Sequence, residues 1–189
     1  TFADAVTSGN GGKIIFWADR RMRFNGIVRG RGGQYFGDGG LVEVSGKEEL
    51  YFDGSVDTTA TNGKSGTLLL DPDNITVQSG SGAASASGAS SFTTYQNILE
   101  AVSSTTNIDL VATESITLNN SLSFAQTSGQ SVNFTATTGS IIQSSSDTIT
   151  TSGGSIIMAA DQNLTIGTLN TSGGDITLTG EGLTLSGTL

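Results

Sequence analysis

Short runs in which apolar and polar residues alternate recur along this chain, Ile116-Thr-Leu and Ile176-Thr-Leu-Thr among them. A period of two puts the apolar side chains on one face of an extended strand and Thr or Asn on the other. The runs themselves repeat. Ser131-Val-Asn-Phe-Thr-Ala, Ser155-Ile-Ile-Met-Ala-Ala and Asp175-Ile-Thr-Leu-Thr-Gly start 24 and then 20 residues apart, the last two preceded by Gly153-Gly154 and Gly173-Gly174. Each unit holds a second run: Asp147-Thr-Ile-Thr, Asn163-Leu-Thr-Ile and Gly182-Leu-Thr-Leu. Nearer the N-terminus, Lys13-Ile-Ile-Phe-Trp-Ala, Leu41-Val-Glu-Val-Ser-Gly and Thr67-Leu-Leu-Leu-Asp each follow a glycine, 28 and then 26 residues apart. Between them lie Phe24-Asn-Gly-Ile-Val-Arg-Gly and Leu50-Tyr-Phe-Asp-Gly-Ser-Val-Asp, a further strand pair per unit.

Units of this length, with two or three short strands each, predict an all-β parallel β-helix, a solenoid whose coils pair with the coils above and below. A sandwich would leave the repeat unexplained. The reading is one structural domain in three stretches: larger coils over 1–78, an insertion over 79–106, and Ser/Thr-rich coils over 107–189. The insertion opens with a Gly/Ala/Ser loop, Gly80 to Ser91. Phe92, Tyr95, Ile98, Leu99 and Val102 then come at helical spacing. Thr93 with Gln96 three residues on forms a capping-box pattern, which predicts a helix from about 94 to 103 lying over a face or mouth of the β-helix.

Composition narrows the chemistry. Among 189 residues there are 27 Gly, one Pro, no Cys and no His. The absences exclude disulfides, thiolate metal sites and His-dependent catalysis. Pro would break ladders that need donors on both sides of a strand, and Gly permits the corners. No apolar run is long enough to span a bilayer and no signal-like segment opens the chain, so the sequence reads as a soluble or trimmed piece. The net charge of -9 is uneven: all eight Lys and Arg fall at or before position 64 beside eight acids, and nine acids occupy the rest of the chain from position 65 with no base. A neutral, aromatic-rich head precedes an acidic tail.

In their order, Gly11-Gly-Lys-Ile-Ile-Phe-Trp-Ala-Asp, Arg23-Phe-Asn-Gly-Ile-Val, Arg31-Gly-Gly, Gly37-Asp-Gly-Gly-Leu-Val-Glu-Val-Ser-Gly-Lys, Asn62-Gly-Lys-Ser-Gly-Thr-Leu-Leu-Leu-Asp-Pro and Asn74-Ile-Thr-Val are similar to a segment of large exoproteins related to filamentous haemagglutinin, the two-partner-secretion adhesins. Asn107-Ile-Asp-Leu-Val-Ala-Thr-Glu-Ser-Ile-Thr-Leu resembles the next stretch of those exoproteins. The resemblance covers roughly 11–120; the later repeats match in type alone. It implies a right-handed β-helix, export through an outer-membrane transporter to the cell surface or beyond, and a role in adhesion, aggregation or surface structure. The family's amino-terminal secretion domain is missing from these residues, so the expectation is an internal or carboxy-terminal piece. Arg20, Arg21 and Arg29 stand where small or neutral residues are expected.

Those three arginines are the candidate binding residues, a patch for an anionic glycan or an acidic surface protein, while Arg23 and Arg31 fit structural stacking or pairing. The strongly negative whole argues against a nucleic acid partner. Gly37-Asp-Gly-Gly and Asp71-Pro-Asp-Asn match neither a Ca²⁺ repeat nor an EF-hand loop, and Asp71, Asp73 and Asn74 fit turn chemistry. Acids scattered singly, with Glu48-Glu49, Asp53 and Asp57 at corners, argue against a polysaccharide-cleaving enzyme. Irregular outward Thr argues against ice binding. The sequence therefore predicts a non-catalytic adhesive rod with no metal or cofactor; the alternative is a filament subunit that stacks head to tail through its open strand edges.

Overall fold

The computed structural model describes residues 1–80 and 92–189; the Gly/Ala/Ser loop predicted from 80 to 91 lies, beyond Gly80, outside the described residues. Twenty strands and one short helix make up its regular structure, and every ladder between strands is parallel. The fold is a parallel β-helix-like solenoid.

Its first face stacks seven strands in chain order: Lys13–Ala18, Leu41–Gly46, Thr67–Leu70, Asn107–Ala112, Ser131–Ala136, Ser155–Ala160 and Ile176–Thr179. Their registers reproduce the repeat spacing of the sequence. Lys13 stands opposite Leu41, Leu41 opposite Thr67, and Ser131 opposite Ser155. Ile14, Val42, Leu68, Ile108, Val132, Ile156 and Ile176 thus form one inward column, closed to solvent except at its ends. Strict alternation fixes this register, because a slip of one residue would turn the whole column out to water. Each buried aliphatic side chain contributes about 1.5–3 kcal/mol of transfer free energy.

Glycine is required where coils approach most closely. A Cβ on Gly40 would meet the carbonyl oxygen of Gly12 at 2.1 Å, and one on Gly66 would meet that of Gly40 at 2.1 Å. The single proline, Pro72, sits in the corner between Thr67–Leu70 and Asn74–Gln78, outside any ladder.

The second face runs through Asn74–Gln78, Ser115–Leu118, Ile141–Gln143, Asn163–Ile166 and Gly182–Leu185. The third carries Leu122–Ser123, Thr148–Thr150 and Thr168–Asn170. Thr148–Thr150 pairs with Thr168–Asn170, so the run at Asp147 belongs to the third face and not in line with Asn163 and Gly182. The partner of Asn163–Ile166 is Ile141–Gln143, a strand that the repeat pattern does not single out. In the first two coils the corresponding pairs are Arg21–Phe24 with Glu49–Phe52, and Ile27–Arg29 with Ser55–Asp57.

The insertion corrects the expectation of a helix over 94–103. Phe92–Tyr95 is a strand, in register with Ile75–Gln78, and the helix is confined to Gln96–Glu100. Tyr95, with an extended backbone, takes the N-cap position and no side chain caps the helix, so the Thr93–Gln96 capping box does not form. The physical reason is a vacant rung. Phe92–Tyr95 adds to the free edge of Ile75–Gln78 on the side of Glu49–Phe52, and buries Phe92 and Thr94 inward at a period of two. Ladder hydrogen bonds and burial there outweigh local helix preference.

The helix is part of the wall rather than a cover on it, and Leu99 is wholly buried. Side chains tie the helix and the residues that follow it, up to Thr106, to the coils on either side. Thr58 Oγ1 donates to Thr106 Oγ1 at 3.1 Å on one side. On the other, Asn120 Nδ2 donates to Gln96 Oε1 at 2.8 Å, the Ser123 amide to Glu100 Oε1 at 2.7 Å, and Gln126 Nε2 to the carbonyls of Ser103 and Thr106 at 2.9 Å. These bonds replace the ladder that a strand would supply.

Candidate functional surfaces

The arginines belong to the first coil, and the coil length decides their partners. Residues 28 apart stand opposite one another there, so Arg21 meets Glu49 and Arg23 meets Tyr51. Arg21 bonds Glu49 through both Nε and Nη2, which holds the Glu49 carboxyl below its ordinary range. Arg20 Nε lies 3.1 Å from Glu48 Oε2. The Arg23 guanidinium lies 4.6 Å from the centre of the Tyr51 ring.

Arg29 lies 3.4 Å from Asp4 and 4.0 Å from the centre of the Phe2 ring. Arg31 reaches Asp4 at 3.2 Å and Asp57 at 3.9 Å. Burial alone would raise the Asp4 carboxyl, but the backbone amide and guanidinium of Arg31, with the charge of Arg29, bring it below its usual value. Arg20 and Arg21 therefore share one surface pocket with Glu48 and Glu49, and Arg29 is held by Asp4 instead. Each of the three arginines faces a carboxylate of an adjacent turn, where solvent screens much of the attraction. Glu48 and Glu49 are the other halves of the Arg20 and Arg21 pairs. The coil period of 28 is the sequence signal that links them.

The turn candidates behave as structural groups. Asp38 Oδ1 accepts the Lys64 amide at 2.8 Å. Asn74 Nδ2 donates to Glu114 Oε2 at 2.7 Å, and Ser115 Oγ donates to Asn74 Oδ1 at 2.6 Å, so Asn74 binds side chains of the next coil. The Asp71 carboxyl is raised above its ordinary value, chiefly by burial and further by Glu43 and Asp73. Among the described residues no three carboxylates gather as a metal-binding group.

Two surface features carry no signal in the sequence pattern. One is a shallow groove of about 290 Å³ along the corner between the first and second faces, lined by Trp17, Lys47, Asp71, Pro72, Asp73 and Thr113. Four successive coils contribute to it, and Trp17 is more than half exposed. An indole face beside carboxylates and an ammonium offers both an apolar platform and hydrogen-bonding groups.

The other is the contrast between the solenoid's ends. At the head, Phe16 packs on Phe24 with ring centres 5.1 Å apart and Phe24 stacks on Phe52 at 5.6 Å, which leaves Ile14 and Phe24 only 8% exposed. At the tail, Leu183 and Leu185 stand opposite the buried Leu164 and Ile166, yet are 54% and 43% exposed. Beside them a depression of about 390 Å³ opens down to Leu169 and Ile176.

No protein-family model and no curated protein matches the chain.

Proposed function

We propose that the chain is a non-catalytic, structural and adhesive segment of a secreted or cell-surface exoprotein similar to the filamentous haemagglutinin-like, two-partner-secretion adhesins, whose parent would pass an outer-membrane transporter. The observation that supports this reading is how the side chains are used. Inward columns form one continuous apolar core, Asp4, Glu48, Glu49 and Asp57 are taken up in ion pairs, and the grooves on the surface are open and shallow. Such a body suits spanning distance and offering its flank. At about 4.8 Å per rung, seven stacked strands make a rod roughly 30 Å long.

On this reading the flank carries the ligand, a glycan or a surface protein, and the Trp17 groove is its best-equipped stretch. The test is retention of the purified chain on immobilised neutral and anionic glycans and on cell surfaces. Binding is expected, with Trp17→Ala weakening it about tenfold or more, the scale of one lost aromatic anchor. Absence of binding to every surface, or cleavage of the glycans, would overturn the proposal.

A further inference from the structure

The Trp17 groove crosses four successive coils on the outer side of the wall: Trp17 comes from the first, Lys47 from the second, Asp71, Pro72 and Asp73 from the third, and Thr113 from the fourth. Alternation turns Trp17 outward with Ile15, away from the column through Ile14. A coil stacked above or below would lengthen this flank and leave it open. Trp17 stands opposite Ser45, and Val44 opposite Leu70, so Asp71 follows Ser45 in the same outward column. At about 4.8 Å per rung, the indole and the carboxylate stand about 10 Å apart along the flank, with the small, buried Ser45 as the floor between them.

The charge in this groove is not balanced. Ion pairs among the described residues take up Asp4, Glu48, Glu49 and Asp57, and neither Asp71 nor Asp73. Burial raises the Asp71 carboxyl, and the nearby charges of Glu43 and Asp73 raise it further. Lys47 is the one base of the lining, so Glu43, Asp71 and Asp73 outnumber it, while Arg20 and Arg21 are held by Glu48 and Glu49.

We propose that the groove takes a cationic glycan, one whose amino sugars carry free ammonium groups, with a pyranose face on Trp17 and an ammonium against Asp71 and Asp73. This rests on the reading that the flank binds a glycan, and it names the class. A uronate or sulfate ester would bring its charge against those acids, and a neutral sugar would leave them unmatched. The indole attracts a cation in its own right. A lysine-rich peptide carries the same charge, but at the end of flexible stems that lose rotamer freedom on binding, whereas a sugar ring holds its ammonium rigidly.

Titration calorimetry of the intact chain tests this at about pH 6, where ordinary carboxylates are ionised and a sugar amine keeps its proton. The probes are the trisaccharide of glucosamine, its fully N-acetylated twin, a uronic acid trisaccharide and trilysine. The free-amine sugar should bind about tenfold tighter than its N-acetylated twin, and added salt should shrink that preference. Asp71→Asn with Asp73→Asn should abolish the preference and leave the N-acetylated form unaffected, while Trp17→Ala should weaken both. Asp175→Asn with Glu181→Gln removes equal charge from exposed positions of another coil and should change neither. Matching circular dichroism spectra and melting curves are required of every variant. Equal affinity for the two glucosamine sugars, tighter binding of the uronic acid sugar or trilysine, no loss in Trp17→Ala, or an equal loss in the Asp175 and Glu181 variant would overturn this proposal and leave the adhesive reading standing. If no glycan of any charge binds, both fall.

Discussion

The two ends of this solenoid meet the same problem with different side chains. A β-helix has no natural stop, and each terminal coil exposes both an apolar cross-section and a row of unpaired backbone groups. At the head, three phenylalanines in successive contact fill the cross-section, and the segment ahead of Lys13 lies against the coil through Ala3 and Ala5 amides that donate to the Arg29 and Arg31 carbonyls. At the tail the column that runs through Leu164 and Ile166 continues in Leu183 and Leu185, which are about half exposed. A large flat ring shields the layer beneath it, whereas a leucine at the same height leaves its own methyls and part of the floor in water. The columns thus keep their apolar character from end to end but not their sealing power.

The contrast makes its largest prediction in stability. Phe52 is buried at the base of the aromatic stack, and Phe52→Ala should cost about 3–5 kcal/mol. Leu185→Ala at the tail should cost less than about 1 kcal/mol, because much of that side chain is already hydrated. Urea denaturation of both variants measures the difference, and equal losses would mean that the tail is as well packed as the head. Under the same logic, native-state hydrogen exchange at low protein concentration should find Ile176–Leu185 amides protected least among the strand amides. If Lys13–Ala18 exchanges as fast, the aromatic plug does not hold its coil.

Much of this architecture is legible in the sequence, and the reason is geometric. In a solenoid the repeat length is the register, so the spacings between Lys13, Leu41 and Thr67 and between Ser131 and Ser155 translate directly into ladder partners. Legibility fails where two periods meet within a few residues. From Phe92 to Val102 a four-residue strand runs straight into a five-residue helix, and their inward residues together imitate one longer helix. Nothing local distinguishes them. The unpaired edge of Ile75–Gln78 decides between them, and that edge is a feature of the assembled wall. The arginines are a different case: grouped within a dozen residues they look like a single patch, but every carboxylate they meet comes from another turn. The aromatic head is visible in the sequence, but which of its rings stack is not, because both ends read as alternating apolar runs.

Acid separates the two regions by sign. Asp4, at the head, has its carboxyl held below the ordinary value of 3.8, burial being outweighed by the bonds from Arg31. A depressed folded value stabilises the protein above the unfolded one and is lost as pH falls through and below 3.8. Asp4→Asn should therefore lower the melting temperature at pH 7, and the gap should narrow as pH falls below 3.8.

Asp109, in the fourth coil, gives the opposite and smaller effect. It stands outward on the first face opposite Leu69 and Asn133, and burial raises its carboxyl above 3.8, opposed in part by the bond donated from Asn133 Nδ2. A raised folded value means that the folded chain binds the proton more tightly than the unfolded one. Ionisation then works against the fold: no penalty exists well below 3.8, the penalty grows as pH rises through the folded value, and it is constant beyond. Asp109→Asn retains an amide oxygen to accept from Asn133 and removes the charge. It should raise the melting temperature at pH 7 by about 2 °C or less and change nothing near pH 3. Melting curves of Asp4→Asn and Asp109→Asn between pH 3 and 7 should therefore diverge in opposite directions as pH rises. Parallel curves would mean that the carboxylates along this rod feel one common field and not the separate surroundings their coils give them.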